Sequence, residues 1–197
     1  MHKKILFLLL TFVLMLSFVA CGGSKNADGA RDTVVAFSDA LASLDADAAK
    51  KCLKDGQTEL LNPELDFNRA NMIAEYEQVG IDQKEATAIT EKIIEVNKQL
   101  VSYKVMDTET DGKKATVTVV FSVKDPTDCW DKILTSEEIL LAYGSESQGA
   151  VVLKSYELLE KELETVSANS VNVKFSLENI DGKWLISDME DKILEVY

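Results

Sequence analysis

The side chains that could do chemistry are few, and most familiar combinations of them are missing. The chain has one histidine, His2, and three cysteines, Cys21, Cys52 and Cys129. With its histidine at the extreme start, the body of the chain cannot assemble a Ser-His-Asp or Cys-His pair. Histidine-ligated zinc or iron is excluded on the same ground. The sequence contains no G-x-x-x-x-G-K and no G-x-G-x-x-G to cradle a phosphate. The stretch Gly144 to Gly149 (GSESQG) fails G-x-S-x-G. Asp107, Glu109, Asp111 and Gly112 imitate the first half of a calcium loop, but its twelfth position is Thr118 where a bidentate Glu is required. No metal and no cofactor is expected. The most unusual stretch is Asp125-Pro126-Thr127-Asp128-Cys129-Trp130-Asp131. Trp130 flanked by Asp128 and Asp131 has the make-up of a pocket wall, an aromatic with a few polar groups. The plainer reading is a tryptophan that plugs the core, its neighbours opening the next element.

Cys52 and Cys129 are candidates for a disulfide in an oxidising compartment, which would close a long loop. The default is two separate thiols that behave as small apolar groups, since bridging needs Cα atoms within about 7 Å. The 197 residues carry 34 acidic against 21 basic side chains, a net charge of −13. Nucleic acid is therefore not expected as a partner, because phosphate binding needs a basic stripe. With 46% hydrophobic residues the chain can build one ordinary core.

The elements that must hold these residues begin with an address. His2, Lys3 and Lys4 precede an apolar run from Ile5 to Ala20, followed by Cys21-Gly22-Gly23-Ser24. The run is short for a membrane span, which needs about 20 apolar residues, and it fits a signal peptide over residues 1–20. Phe18-Val19-Ala20-Cys21 resembles the lipobox of bacterial lipoproteins, with Phe18 where leucine is usual. That resemblance implies that Cys21 is lipidated (palmitate among the chains) and becomes the first residue, leaving the domain on the extracytoplasmic face of the cell membrane. Residues 21–30 then read as lipidated cysteine and flexible tether, small and polar in composition. Residues 31–197 read as a single domain.

Val34, Phe37, Leu41 and Leu44 recur at helical steps. Asp45 can cap a short second helix, and Leu60 to Phe67, containing Asn62-Pro63, reads as a loop. A third helix is expected over about 68–79. Asp82 with Glu85 marks the start of a fourth that carries Ala86, Ile89, Ile93, Val96 and Leu100. The period then falls to two. Val101, Tyr103 and Val105 alternate, as do Ala115 to Val123, with Asp111-Gly112 as the turn between them. Val171 to Leu177 and Trp184 to Ile186 repeat the device around Asp181-Gly182. Between the hairpins Thr135 and Glu138 look like a capping box, and Val152 to Val166 make another amphipathic helix. The expected fold is α+β: N-terminal helices packed on a curved antiparallel sheet of about four strands, with a helical insertion between two hairpins.

This order of elements, closing on Asp181-Gly182-Lys183-Trp184-Leu185-Ile186, resembles the nuclear-transport-factor-2-like (cystatin-like) domain found in small Firmicutes lipoproteins. Val34-Val35-Ala36-Phe37 and Leu44-Asp45-Ala46-Asp47-Ala48 are similar to that family's opening segments. The resemblance implies a cone-shaped cavity under the sheet, with Trp130, Asp128 and Tyr103 as ligand-binding candidates. Two functions follow. The preferred one is a membrane-anchored, non-catalytic module that binds a small molecule or a surface protein. The alternative is a small enzyme using Asp128 as base and Tyr103 as donor, as some members of that family pair these residue types.

Overall fold

The computed structural model describes residues 25–55, 57 and 68–190. Cys21, the segment before it and the loop expected at 60–67 lie outside those residues.

The first helix, α1 (Lys25–Ala42), starts earlier than its apolar spacing indicates, so residues 25–30 belong to the domain and not to the tether. Tertiary contact explains this. Ala30 is buried, and Gly29 lies so near the indole of Trp184 that a Cβ there would approach Cδ1 to 2.8 Å. The Thr33 hydroxyl is within hydrogen-bonding distance of both the Gly29 carbonyl (3.1 Å) and the Trp184 carbonyl (3.2 Å). Docking on the last strand thus outweighs glycine's low helix propensity. The helix ends at Leu44, in the left-handed region at φ 53°, where Asp45 N–H bonds the Ala40 carbonyl. Asp45 then caps α2 (Ala46–Lys50) by accepting from the Ala48 amide at 2.9 Å.

Four antiparallel strands, β1 (Val101–Thr110), β2 (Lys114–Lys124), β3 (Ala168–Ile180) and β4 (Lys183–Met189), lie side by side in chain order. Both Asp-Gly pairs make the expected turns. Gly112 has φ 92°, and Asp181 and Gly182 are both left-handed, as a type I′ turn requires. Register breaks between Val105 and Asp107 and between Ser176 and Leu177 are the bulges that curve the sheet. One face alternates into the core: Val117, Val119, Phe121, Val173, Phe175, Leu177 and Ile186 are all buried against α1. Phe37 of α1 meets Phe175 edge-on at 5.8 Å between centroids, and Phe121 stands 6.3 Å from Phe175. The face that a cone-shaped cavity would occupy is therefore filled by Val34, Phe37 and their neighbours.

The remaining helices form a second half. They are α3 (Arg69–Gln78), α4 (Gln83–Leu100), α5 (Thr127–Leu134), α6 (Glu137–Ser145) and α7 (Gln148–Glu162), the last closed by a 3-10 turn at Leu163–Thr165. Asn68, Asp82, Ser136 and Ser147 cap four of them through side-chain oxygens. Ser136, not Thr135, is the cap of α6. The stretch with Asp128 and Trp130 is not a loop: Asp125 accepts from the Thr127 amide (2.9 Å) and hydroxyl (2.6 Å) and starts α5. Gly149 lets α7 close on α4, since a Cβ there would collide with the Glu85 side chain. Asn97 joins the halves. It is buried on α4 and its amide donates to the Leu41 and Ala42 carbonyls at 3.3 and 2.9 Å, satisfying the end of α1.

Candidate ligand pocket

A cavity of about 400 Å³ opens where α3, α4 and α7 meet the corner between α1 and α2. Met72, Glu75, Tyr76 and Val79 face it from α3 at the i, i+3, i+4, i+7 spacing of one helical stripe. Ile93 of α4, Tyr156 of α7 and the left-handed Leu44 complete the wall. The walls are mostly apolar, with the exposed Glu75 carboxylate and two phenols at them, which is the usual make-up of a small-molecule site. Burial raises the Tyr76 hydroxyl to about 12, helped by the neighbouring Tyr156 and by Glu75. Burial also raises Tyr156, with the Tyr76 contact pulling it partly back. Both phenols therefore stay protonated near neutrality, with the two hydroxyls hydrogen-bonded to each other.

The residues singled out by sequence fall elsewhere. Trp130 packs edge-on against Tyr156 at 5.1 Å and belongs to the second core cluster with Cys129, Ile133 and Ile139, so it stands behind the pocket wall instead of lining it. Asp128 is exposed on the first turn of α5. Tyr103 sits on β1, and its hydroxyl donates to the Asp39 carboxylate at 2.6 Å on the surface of α1. Burial, then that hydrogen bond, hold the Tyr103 proton well above its ordinary range. Tyr103 and Asp128 thus stand on different elements, β1 and α5, and the Tyr103 hydroxyl is held by Asp39. Cys52 packs on the sheet cluster and Cys129 in the helical one; both are free thiols, not a bridge. Burial raises the Cys52 thiol, whose Sγ donates to the Ala48 carbonyl at 3.6 Å. Cys21 lies outside the described residues. The calcium-like trio is explained by its turn: Asp111 accepts from the Lys113 and Lys114 amides at 2.8 and 2.7 Å, which lowers its pKa. Among the described residues no group of three or more His, Cys, Asp or Glu side chains gathers as a metal site.

The pocket residues were missed for a physical reason. Tyr156 reads as core on its own stripe, and the α3 stripe contains Glu75, which breaks a purely apolar count. The signal was the spacing of Met72, Tyr76 and Val79 around a lone carboxylate, and nothing in sequence says that Tyr76 faces Tyr156. Two other surface features stand apart. A polar hollow of about 210 Å³ lies between Asp28 and Arg31 of α1 and the bulge of β1. On α6, Leu140, Leu141 and Tyr143 are 61%, 66% and 64% exposed beside the buried Ile139 and Ala142. That helix is thus apolar on its outer side as well as on its packed one.

No family model and no curated protein matches the chain. Among solved structures it is similar to a lipoprotein candidate, YcdA of Bacillus subtilis, with 19% identity and a TM-score of 0.49. The likeness covers 88% of this chain and 56% of YcdA, so the chain spans little more than half of that protein. It is also similar to a nuclear-transport-factor-2-like protein of unknown function from Shewanella oneidensis, with 10% identity, coverage of 82% and 94%, and a TM-score of 0.36. A third likeness, to a SEC-C motif protein of Rhodopseudomonas palustris, has 12% identity, coverage of 86% and 94%, and a TM-score of 0.34. These are weak, fold-level links. They carry no functional argument. Among the described residues no helix is long and apolar enough to cross a membrane.

Proposed function

We propose that the protein is a lipid-anchored, extracytoplasmic binding module that works without catalysis, held at Cys21 and taking its ligand in the pocket between α3, α4 and α7. The observation that carries the binding half is the pocket itself, with apolar walls and protonated phenols. A general base is poorly served by what the described residues offer. The carboxylates with a displaced pKa, Asp111, Asp125 and Glu178, are all displaced downward and lie on the surface. The Tyr103–Asp39 pair likewise sits outside the cavity. The anchoring half rests on Phe18-Val19-Ala20-Cys21 after a basic start and an apolar run. Two or more acyl chains make such anchoring stable, where one would be reversible. An acidic domain is held off anionic lipid, not laid upon it.

Intact-mass analysis of the protein extracted from membranes tests both halves. The expected species begins at Cys21, carries diacylglyceryl and acyl increments, and under native conditions retains a small molecule. A chain that begins at Met1, or that is recovered in the soluble cytosolic fraction, overturns the anchoring.

A further inference from the structure

The pocket's lining also says what kind of molecule fits it. We propose that the site between α3, α4 and α7 takes a small molecule with an apolar body and one cationic head, an alkyl- or arylalkylammonium. This rests on the binding-module reading and sharpens it.

Charge makes the first argument. Among the described lining residues Glu75 is the carboxylate, and none is Lys or Arg. Three of the basic side chains on the same helices are engaged with carboxylates, among them Lys154 of α7 with Glu138 and Glu146. Arg69 of α3 pairs with Glu91, and Lys92 of α4 is held by Glu95 at 2.6 Å and Glu160 at 3.1 Å. An anionic head would therefore meet Glu75 with no Lys or Arg among the described lining residues to offset it, in a protein of net charge −13. Aromatic geometry makes the second argument. Tyr76 and Tyr156 both line the cavity, and aromatic walls hold ammonium groups through cation–π attraction. A carboxylate beside those rings completes a cationic subsite, while Met72, Ile93, Leu44 and Val79 receive the apolar body. A volume of about 400 Å³ suits a molecule of modest size. The Trp130 ring leaning on Tyr156 rigidifies that wall from behind.

Three probes of similar shape and different charge separate the outcomes: phenethylammonium, 2-phenylethanol and 3-phenylpropionate, titrated at pH 7 into the full-length protein by calorimetry. Phenethylammonium is expected to bind about tenfold more tightly than the alcohol, and the propionate more weakly than either. In Glu75→Gln the preference for the ammonium over the alcohol should disappear. Glu75 is exposed on its helix, so the variant keeps the fold, which circular dichroism checks. Propionate binding as tightly as the ammonium, or an ammonium preference that survives Glu75→Gln, overturns the cationic head and leaves the binding pocket standing. If none of the three binds saturably up to about 10 mM, the pocket reading fails together with the inference.

Discussion

The sheet half and the helical half solve the same problem differently. In the first, β2 alternates throughout and β3 from Val173 to Leu177, so the inward side chains are committed to the core and the seam closes around Phe37, Phe121 and Phe175. In the second, short helices meet at corners. They leave a cavity beside Tyr76 and an apolar outer side on α6. A period of two leaves little choice about what faces inward, whereas a helix end can stop short of its neighbour. The room for a ligand therefore lies among the helices, not beneath the sheet where the resembled fold would put it.

That contrast can be broken first at the two cores. Phe175→Ala should cost about 3–5 kcal/mol and lower the thermal midpoint of the whole protein. Ile139→Ala should cost about 2–4 kcal/mol, whereas Leu141→Ala, two residues on and on the exposed face, should stay within about 0.5 kcal/mol. Hydrogen exchange resolves where each loss falls: Ile139→Ala should speed exchange in α5 to α7 and spare β2 and β3. Equal acceleration everywhere would mean that the halves are one cooperative unit and the contrast is only descriptive.

Asn97→Ala sharpens the same comparison at the junction. Losing its two bonds to the end of α1 should cost about 1–2 kcal/mol and uncouple the halves, seen as a broadened or split denaturant transition. A sharp single transition at the wild-type midpoint would show that the junction is held by other contacts.

The smallest effect is electrostatic. Lys54, just past α2, donates to Glu178 on β3 at 2.7 Å and lowers its pKa. Because the folded-state pKa lies below the unfolded one, this contribution is complete above the usual carboxylate range and disappears as pH falls through the lowered value. Thermal midpoints of wild type and Glu178→Gln should therefore converge in acid and separate slightly near pH 6. A gap that persists unchanged at pH 3 would assign the effect to packing.

Legibility in the sequence followed the same division. The strands, both Asp-Gly turns and the caps at Asp45 and Asp82 could be read because each depends on neighbours within a few residues. The start of α1 could not, since it depends on Trp184 at the other end of the chain. The stretch with Asp128 and Trp130 follows its plainer reading, a tryptophan packed on the core at the opening of a helix. Of the site, Trp130 and Asp128 drew notice by composition alone. The facing of Tyr76 and Tyr156 is set by the packing of α3 and α7 on α4, which no local pattern encodes.

The pairing of β2 with β3 has a consequence for how the chain is made. Lys124 lies opposite Ala168, with residues 125–167 between them. Until that stretch has emerged, β2 stands with one long rim of amides and carbonyls unclaimed, bearing Val117, Val119 and Phe121. A half-made chain is thus most prone to stick to its own kind at its central strand, and the lysines at both ends of that strand, Lys114 and Lys124, are the charges placed to discourage it.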